Sequence, residues 1–332
     1  MKGVPKILFD PGDFEPDAAA GAWSQLFQFL HRAKPIDVPD RPFASFVHSY
    51  IVDGLIFGDG HFALQTMTFD EERDVVLSGE KYLVSWVLSR GRMNILHDGE
   101  MLDVDPGEYC LIDQSRQSHA LLTDSDVLSV IIPHSAIGYD PAIHPARVHV
   151  DLSSPGAKAL YDDLQMIAKA APTMTRRDAP AYGRHHKDLL ISLLETAPAM
   201  EMQSANDAKQ IRAEIDEHIF YERLTLDRVM EMVGKSRAQV LDAIGLPASF
   251  ETYLAERRMV YALRSLAFGS ADPAWLADVA RLMGYPDTSA FETAFAAQFG
   301  FPPSVILGVL ADAGPRRKDP ENNRLWAGWL SG

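Results

Sequence analysis

Cysteine occurs once in the 332 residues, as Cys110, so no internal disulfide is available and no cysteine cluster can hold zinc. A lone cysteine suits a reducing compartment, and a small buried hydrophobe is its ordinary role. Long apolar runs are missing as well. None approaches the roughly 18 residues of a membrane span, and Met1-Lys2-Gly3 leads into no apolar signal core, so a cytoplasmic protein with no membrane partner is expected. Basic charge is scarce: 31 lysines and arginines face 46 acidic residues, a formal charge of -15. That balance opposes a uniformly basic nucleic-acid-binding surface. Three enzyme signatures are also missing, namely a glycine-rich phosphate loop, a nucleophile elbow and a metal-spaced cluster, so no catalytic activity and no cofactor are expected.

What is present is a globular composition, 47% hydrophobic and 9% aromatic, in a chain long enough for two domains with real cores. Asp17 to about Ala33 has a helical period, with Trp23, Leu26, Phe27 and Leu30 on one side. Pro35, Pro39 and Pro42 end it. From Phe43 to Pro133 the chain alternates in short runs: FASFVHSYIV, HFALQTMTF, DVVLS, YLVSWVLS, RMNILH, MLDV, YCLID, HALLT and VLSVIIP. Turns are expected between them at Asp59-Gly60, Ser78-Gly79, Asp98-Gly99 and Pro106-Gly107, which predicts an antiparallel sandwich or barrel. Trp86, on the alternating run Tyr82-Val84-Trp86-Leu88, is a candidate lining residue for a small-molecule pocket, with a core tryptophan as the other reading. His97 and His119 are further ligand candidates, set against ordinary hydrogen-bonded or surface histidines.

The helical period returns from Ser153 to Met200, with Leu160, Leu164, Ile167 and Ala168 on one helix and Leu189, Leu190, Leu193 and Leu194 on the next. Glu201 to Asp207 is a polar linker. Beyond it, Ile211, Ile215, Ile219 and Phe220 stripe one helix, and Leu226, Val229, Met230 and Val233 stripe a second that Gly234 ends. Ser236 opens a third, with Gln239 placed to close a capping box. Tyr253, Val260, Leu263 and Ala267 mark a long helix. Trp275, Leu276, Val279 and Ala280 mark the next, which Gly284 ends, and Phe291, Ala294, Phe295 and Phe299 stripe the last before Gly300 and Pro302-Pro303.

The frame Gly284-Tyr285, Phe291, Phe295, Phe299-Gly300 and Pro303 resembles the second helix-turn-helix of the AraC/XylS family of bacterial transcription regulators. GRMNILHDGEMLDVDPGEYCLID resembles the cupin-like effector domain of such proteins. The resemblance covers about Phe43 to Pro303. It implies an α+β multidomain chain: a cupin-like antiparallel β-barrel with flanking helices over residues 1-150, a helical dimerisation segment and linker over 151-206, a double helix-turn-helix domain over 207-312 and a tail over 313-332. The expected partners are promoter DNA, a small-molecule effector, a second copy of the chain, and RNA polymerase or another regulator. For the helices of 151-206, pairing of two subunits and simple coverage of one end of the barrel both remain open. A metal is not expected, because Cys110 lies near the position of a histidine ligand of metal-binding cupins and His97 stands alone.

In this resemblance Arg237 to Ile244 is the first reading helix, and the helix from Thr288 is the second. Ser236, Arg237 and Gln239 are the candidate DNA contacts of the first, and Thr288, Ser289 and Thr293 those of the second. Both helices are poor in cations, with Ala238, Leu241 and Asp242 on one and Glu292, Thr293, Ala296, Ala297 and Gln298 on the other. Glu292 has two readings, as the acidic partner of a capping box on Ser289 or as a cytosine contact. Asp207 to Asp312 holds 10 basic and 15 acidic residues. This charge motivates a second hypothesis, a helical domain that no longer reads DNA and acts by protein-protein interaction on another regulator. Arg316, Arg317 and Lys318, with Trp326 and Trp329, form a basic appendage, either a phosphate contact or a docked tail.

Overall fold

A computed structural model describes residues 2–28, 30–69, 81–203, 207–220, 224–244 and 249–311. The run DVVLS, the turn at Ser78-Gly79 and the tail from residue 313 lie outside the described residues. The chain divides into two compact units, with the boundary between Ala197 and Pro198.

The first unit opens with β1 (Lys6–Phe9), α1 (Pro16–Phe27) and β2 (Arg32–Pro35). The helix expected to reach about Ala33 therefore stops at Phe27. Arg32 to Pro35 instead pair antiparallel with Gln65 to Thr68, an ordered ladder that outweighs the local helical period. There follow β3 (Phe46–Val52), β4 (Leu55–Phe62), β5 (Gln65–Phe69), β6 (Tyr82–Arg90), β7 (Met93–His97), β8 (Glu100–Val104), β9 (Glu108–Asp113), β10 (Ser118–Leu122), β11 (Ser125–Pro133), the short α2 (His134–Ile137) and β12 (Arg147–Asp151). They form a seven-stranded sheet, β1-β3-β4-β11-β6-β9-β12, and a five-stranded sheet, β2-β5-β10-β7-β8. All the named pairings are antiparallel. This is the expected cupin-like sandwich.

One expected turn is a strand. Asp59-Gly60 lie inside β4, and the hairpin turns instead at Asp53-Gly54, whose φ angles of 53° and 80° are those of a tight primed turn. Gly60 is needed there because a β-carbon at that position would stand 2.3 Å from the Phe46 carbonyl oxygen. The turn at Asp98-Gly99 forms as expected, with φ of 52° and 79°.

Alternation puts Val84, Trp86, Leu88, Cys110 and Ile112 of the large sheet against Met67, Met93, Ile95, Ala120 and Leu122 of the small one, in a single apolar core. Burial pushes the Cys110 thiol well above its ordinary range, so it is inert packing. Trp23 of α1 is fully buried at this core, ringed by Phe9, Phe27, Phe43 and Phe62, and its indole Nε1 donates to Gln65 Oε1 at 2.7 Å.

Two helices complete the unit, α3 (Pro155–Ala170) and α4 (Ala179–Gln203). Helix α3 packs on β4 and β11. Ala157, Leu160, Leu164 and Ile167 are buried on α3, and Leu190, Leu193, Leu194 and Ala197 on α4, so the apolar stripes are engaged within the unit. Helix α4 continues to Gln203, so the first residues of the linker expected from Glu201 are helical; residues 204–206 lie outside the described residues.

The second unit contains α5 (Asp207–Glu217), α6 (Leu226–Val233), α7 (Arg237–Ala243), α8 (Phe250–Phe268), α9 (Pro273–Leu282) and α10 (Thr288–Phe299). Ile211, Ile215, Ile219, Val229, Val240 and Phe250 close the first helix-turn-helix core. Around the second, Phe295 is fully buried among Phe291, Phe299 and Phe301, at centroid distances of 5.7, 4.7 and 5.8 Å. Gly234, Gly284 and Gly300 end their helices at φ of 64°, 84° and 78°, where a β-carbon is unfavourable.

Candidate functional site

Strand register carries the geometry of the sandwich interior. Ser49 of β3 pairs with Gly58 of β4, Gly58 with Ser129 of β11, Ser129 with Trp86 of β6, and Trp86 with Cys110 of β9. These residues form one row on the inner face. The next row is apolar: Ile51, Ile56, Ile131, Val84 and Ile112. A β-carbon on Gly58 would lie 2.8 Å from Ser129 Oγ and 3.3 Å from Ser49 Oγ, so the glycine is what lets the two hydroxyls close over this strand, in the row that also holds Trp86. Ser49, Ile51, Ser129 and Ile131 are half-buried, whereas their row neighbours Gly58, Ile56, Val84 and Trp86 are buried. Facing them, the small sheet offers the row Ala33, Met67, Ala120, Ile95 and half-buried Leu102. An apolar wall broken by a few polar groups is the usual make-up of a small-molecule site.

Trp86 and His97 both face this interior, since His97 shares the inward parity of Met93 and Ile95. His97 Nε2 lies 3.0 Å from the Asp113 carbonyl oxygen, while its Nδ1 and the Nε2 of Gln65 are buried without a hydrogen-bond partner among the described residues. Burial lowers the His97 pKa against the opposing pull of the Asp113 carbonyl, so the ring is a neutral imidazole that donates through Nε2. His119 is not part of this group. Ser118 is the partner of His97 and His119 that of Leu96, so the two histidines point to opposite faces of the small sheet. His119 Nε2 instead lies 3.3 Å from Gln117 Nε2. Among the described residues, no group of three or more His, Cys, Asp or Glu side chains could hold a metal ion.

At the rim, Asp113 is fully buried and organises a corner of the sandwich. Its Oδ1 accepts from Ser115 N at 2.9 Å and from His134 Nε2 at 3.1 Å. Burial alone would raise this carboxyl. The hydrogen bonds from His134 and Ser115 outweigh it and hold the pKa below the ordinary value.

In the helical unit, Ser236 and Gln239 form the expected capping box on α7. Gln239 Oε1 accepts from Ser236 N at 3.0 Å and from Ser236 Oγ at 2.9 Å. Both side chains are thus engaged on their own helix, and Arg237 is the exposed cation of α7. On α10 the N-cap is Asp287, which accepts from Ala290 N at 2.8 Å. The capping box expected between Ser289 and Glu292 is therefore not the one that forms, because the helix begins one residue before Ser289, at Thr288. Thr293 Oγ1 donates to the Ser289 carbonyl at 2.9 Å, which leaves Thr288 and Ser289 as the polar side chains at the start of the helix.

Among the described residues, five other arginines of this unit are engaged internally. Arg257 makes two bonds to Asp216, at 3.1 and 2.6 Å, and Arg258 Nε donates to the Ile219 carbonyl at 2.9 Å. Arg228 pairs with Glu231, Arg281 with Asp278, and the Arg264 guanidinium stacks 4.2 Å over the Tyr261 ring. Sequence reasoning missed Ser49, Gly58 and Ser129 at the interior and Asp287 at the reading helix. The alternate glycines Gly58 and Gly60 were the available signal for the first group, and the Asp-Thr-Ser run from Asp287 for the second.

A two-sheet cupin-like sandwich followed by two helix-turn-helix pairs is the architecture of AraC-type regulators. The family described as an AraC-binding-like domain matches residues 19–195, more than half of the chain, and the chain belongs to that family. Among solved structures it is similar to the AraC-like transcriptional activator CuxR, at 13% identity over 79% of this chain and 96% of that one, with a TM-score of 0.47. It is also similar to ToxT from Vibrio cholerae, at 12% identity over 76% and 99%, with a TM-score of 0.31. A DNA-binding transcriptional dual regulator from Escherichia coli K-12 matches 30% of this chain and 92% of its own length, at 24% identity and a TM-score of 0.25. No curated protein sequence matches the chain. No helix among the described residues is long and apolar enough to cross a membrane.

Proposed function

We propose that this AraC-family protein is a one-component transcription regulator that binds promoter DNA through α7 and α10 under the control of a small molecule held in the sandwich interior. The observation that carries the reading is the pair of complete helix-turn-helix frames, with reading helices that keep Arg237, Thr288 and Ser289 at their surface or half-exposed. Such a pair can address two major-groove segments roughly 34 Å apart. Occupancy of the interior by a ligand of mixed character, apolar with a group that hydrogen-bonds Ser49 or Ser129, supplies the control. A coupling of about 1 to 3 kcal/mol is enough to switch such a protein. The test is binding to the DNA upstream of its own gene at low salt. An affinity equal to that for random duplex, with no salt dependence, would sink the reading.

A second reading is favoured by one observation, the internal pairing of Arg228, Arg257, Arg258 and Arg281 in the helical unit. In it the helical unit docks on another regulator instead of on DNA. Co-purification from the native cell separates the two: recovery with promoter DNA and RNA polymerase, without a regulatory protein, counts against it. A homodimer through α3 and α4 would have to use their outward faces, where Met166 is exposed, because the stripes expected to pair subunits are buried within the unit. Sedimentation of the full chain as a monomer at micromolar concentration would remove the dimer.

A further inference from the structure

The β3–β4 hairpin touches two parts of the sandwich unit at once. Its inward side chains, Ser49, Ile51 and Ile56, together with Gly58, supply one side of the interior wall. Its turn is gripped by α4. Lys187 Nζ donates to the Asp53 carbonyl at 2.8 Å and to Asp53 Oδ2 at 2.9 Å. Gly183 sits so close that a β-carbon there would stand 2.2 Å from Asp53 Cβ. One turn further along α4, the buried His186 ring meets the edge or face of Phe57 at 5.0 Å in a T-shaped contact. Phe57 lies between Ile56 and Gly58 on the outward side of the same strand, so a shift of the inner wall moves Phe57 with it. His186 Nδ1 is in turn 2.8 Å from Asp163 Oδ2 of α3, both side chains being almost wholly buried. Helix α4 then continues to Gln203, past the boundary of the unit.

We propose that the β3–β4 hairpin is the element that passes occupancy of the sandwich interior to α4, with Asp53–Lys187 and Phe57–His186 as its two points of contact. The inference rests on the reading of the interior as a ligand site. The physical basis is the stiffness of a close-packed interior: a group lodged against the half-buried Ser49, Ile51 and Ser129 presses on the hairpin and displaces the strand that carries Phe57. The Asp53 turn, held from two sides, converts that displacement into a push on Gly183 and Lys187.

The test uses the full chain and amide hydrogen exchange read by mass spectrometry over residues 183–197. Ser129→Leu replaces a half-buried hydroxyl of the inner wall with a bulkier group and stands in for an occupant. In the parent chain it is expected to change exchange over this stretch by about threefold or more. In a Lys187→Met background the change should vanish, and in Lys187→Arg it should return, which a purely structural loss would not produce. An equal change in the Met and parent backgrounds, or no change in the parent, overturns the proposal. If Ser129→Leu does not fold, Ser129→Val takes its place. Binding of anilinonaphthalene sulfonate reports separately on the ligand reading: probe fluorescence unaffected by Ser129→Leu counts against the interior site. Probe binding lost in Ser129→Leu, with exchange over α4 unmoved, overturns the coupling and leaves the site intact.

Discussion

Arg237→Ala gives the sharpest test of the proposed DNA binding. Arg237 is exposed on the first reading helix, whereas Arg228 and Arg281, the other arginines near the two reading helices, are paired with Glu231 and Asp278. Each phosphate neutralised by a cation contributes about -0.9 to the slope of log affinity against log salt. With Arg237 the one cation within α7 and α10, and one or two further phosphate contacts from neighbouring segments, the parent protein is expected to show a shallow slope, about -2 to -3 for each bound copy, instead of the steep slope of a regulator that makes six to ten phosphate contacts. Removal of Arg237 should make it shallower by about 0.9 per copy, with the loss of affinity shared among related sequences if the contact is to phosphate. Fluorescence anisotropy of an upstream duplex between about 50 and 200 mM salt measures both. A parent slope of about -6 or steeper would place a basic surface elsewhere on the protein, and an unchanged slope in Arg237→Ala would remove this residue from the interface.

Phe295→Ala removes a fully buried ring from the Phe291, Phe299 and Phe301 cluster and should cost about 3 to 5 kcal/mol, read as an earlier helical transition in chemical denaturation; a cost below about 1 kcal/mol would mean the cluster is not the core of the second helix-turn-helix. The His97 pKa is lowered by burial, so the unfolded chain binds more protons and stability should fall as pH drops below about 6.5. Asp113, held low by His134 and Ser115 against its burial, adds a loss in the same direction at pH below the ordinary carboxylate range. His97→Gln should abolish the upper part of this pH dependence and keep the lower part; urea unfolding across pH checks it, and an unaltered upper part would refute the role of His97. Gly91→Ala meets a φ of 84° and would bring a β-carbon to 2.5 Å from the Asp124 carbonyl oxygen, so it should lower the melting temperature of the sandwich by an amount matching at least about 1 to 3 kcal/mol.

Most of the element types were legible because their signals are local. The period of two from Phe43 to Pro133, the Asp98-Gly99 turn and the glycine ends of the helices depend on residues a few positions apart, and the structure keeps them. The errors arose where a distant partner overrode a local signal. Asp59-Gly60 has the composition of a hairpin turn, but the glycine is there because Phe46 approaches it from the neighbouring strand. Arg32 to Pro35 continue a helical pattern and are strand because Gln65 to Thr68 lie beside them. The interior row is the extreme case. Ser49, Gly58, Ser129 and Trp86 come from four strands, and only the combined register of three pairings brings them into line. No spacing within one segment encodes that. Conversely, His97 and His119 look alike in sequence, and a single step of register puts them on opposite faces.

The reading helices add a different lesson about charge. Counting placed 10 basic and 15 acidic residues between Asp207 and Asp312, which by itself says only that the unit as a whole is acidic. The structure sorts those charges. Arg257 and Arg258 stabilise the scaffold through Asp216 and the Ile219 carbonyl, Asp287 caps α10, and Gln239 caps α7. Several residues that a count would assign to the DNA ledger therefore belong to folding, the anion at the start of α10 included. Among the described residues of α7 and α10, this leaves a small set for the proposed recognition: Arg237, Thr288, Ser289 and the backbone N–H groups of the first turns. A surface of that kind grips phosphate weakly, so specific binding has to draw on shape complementarity and on two helix-turn-helix units acting together. Either the protein binds with the low salt dependence derived above, or its helical unit serves a protein partner, and the slope measured with and without Arg237 distinguishes the two.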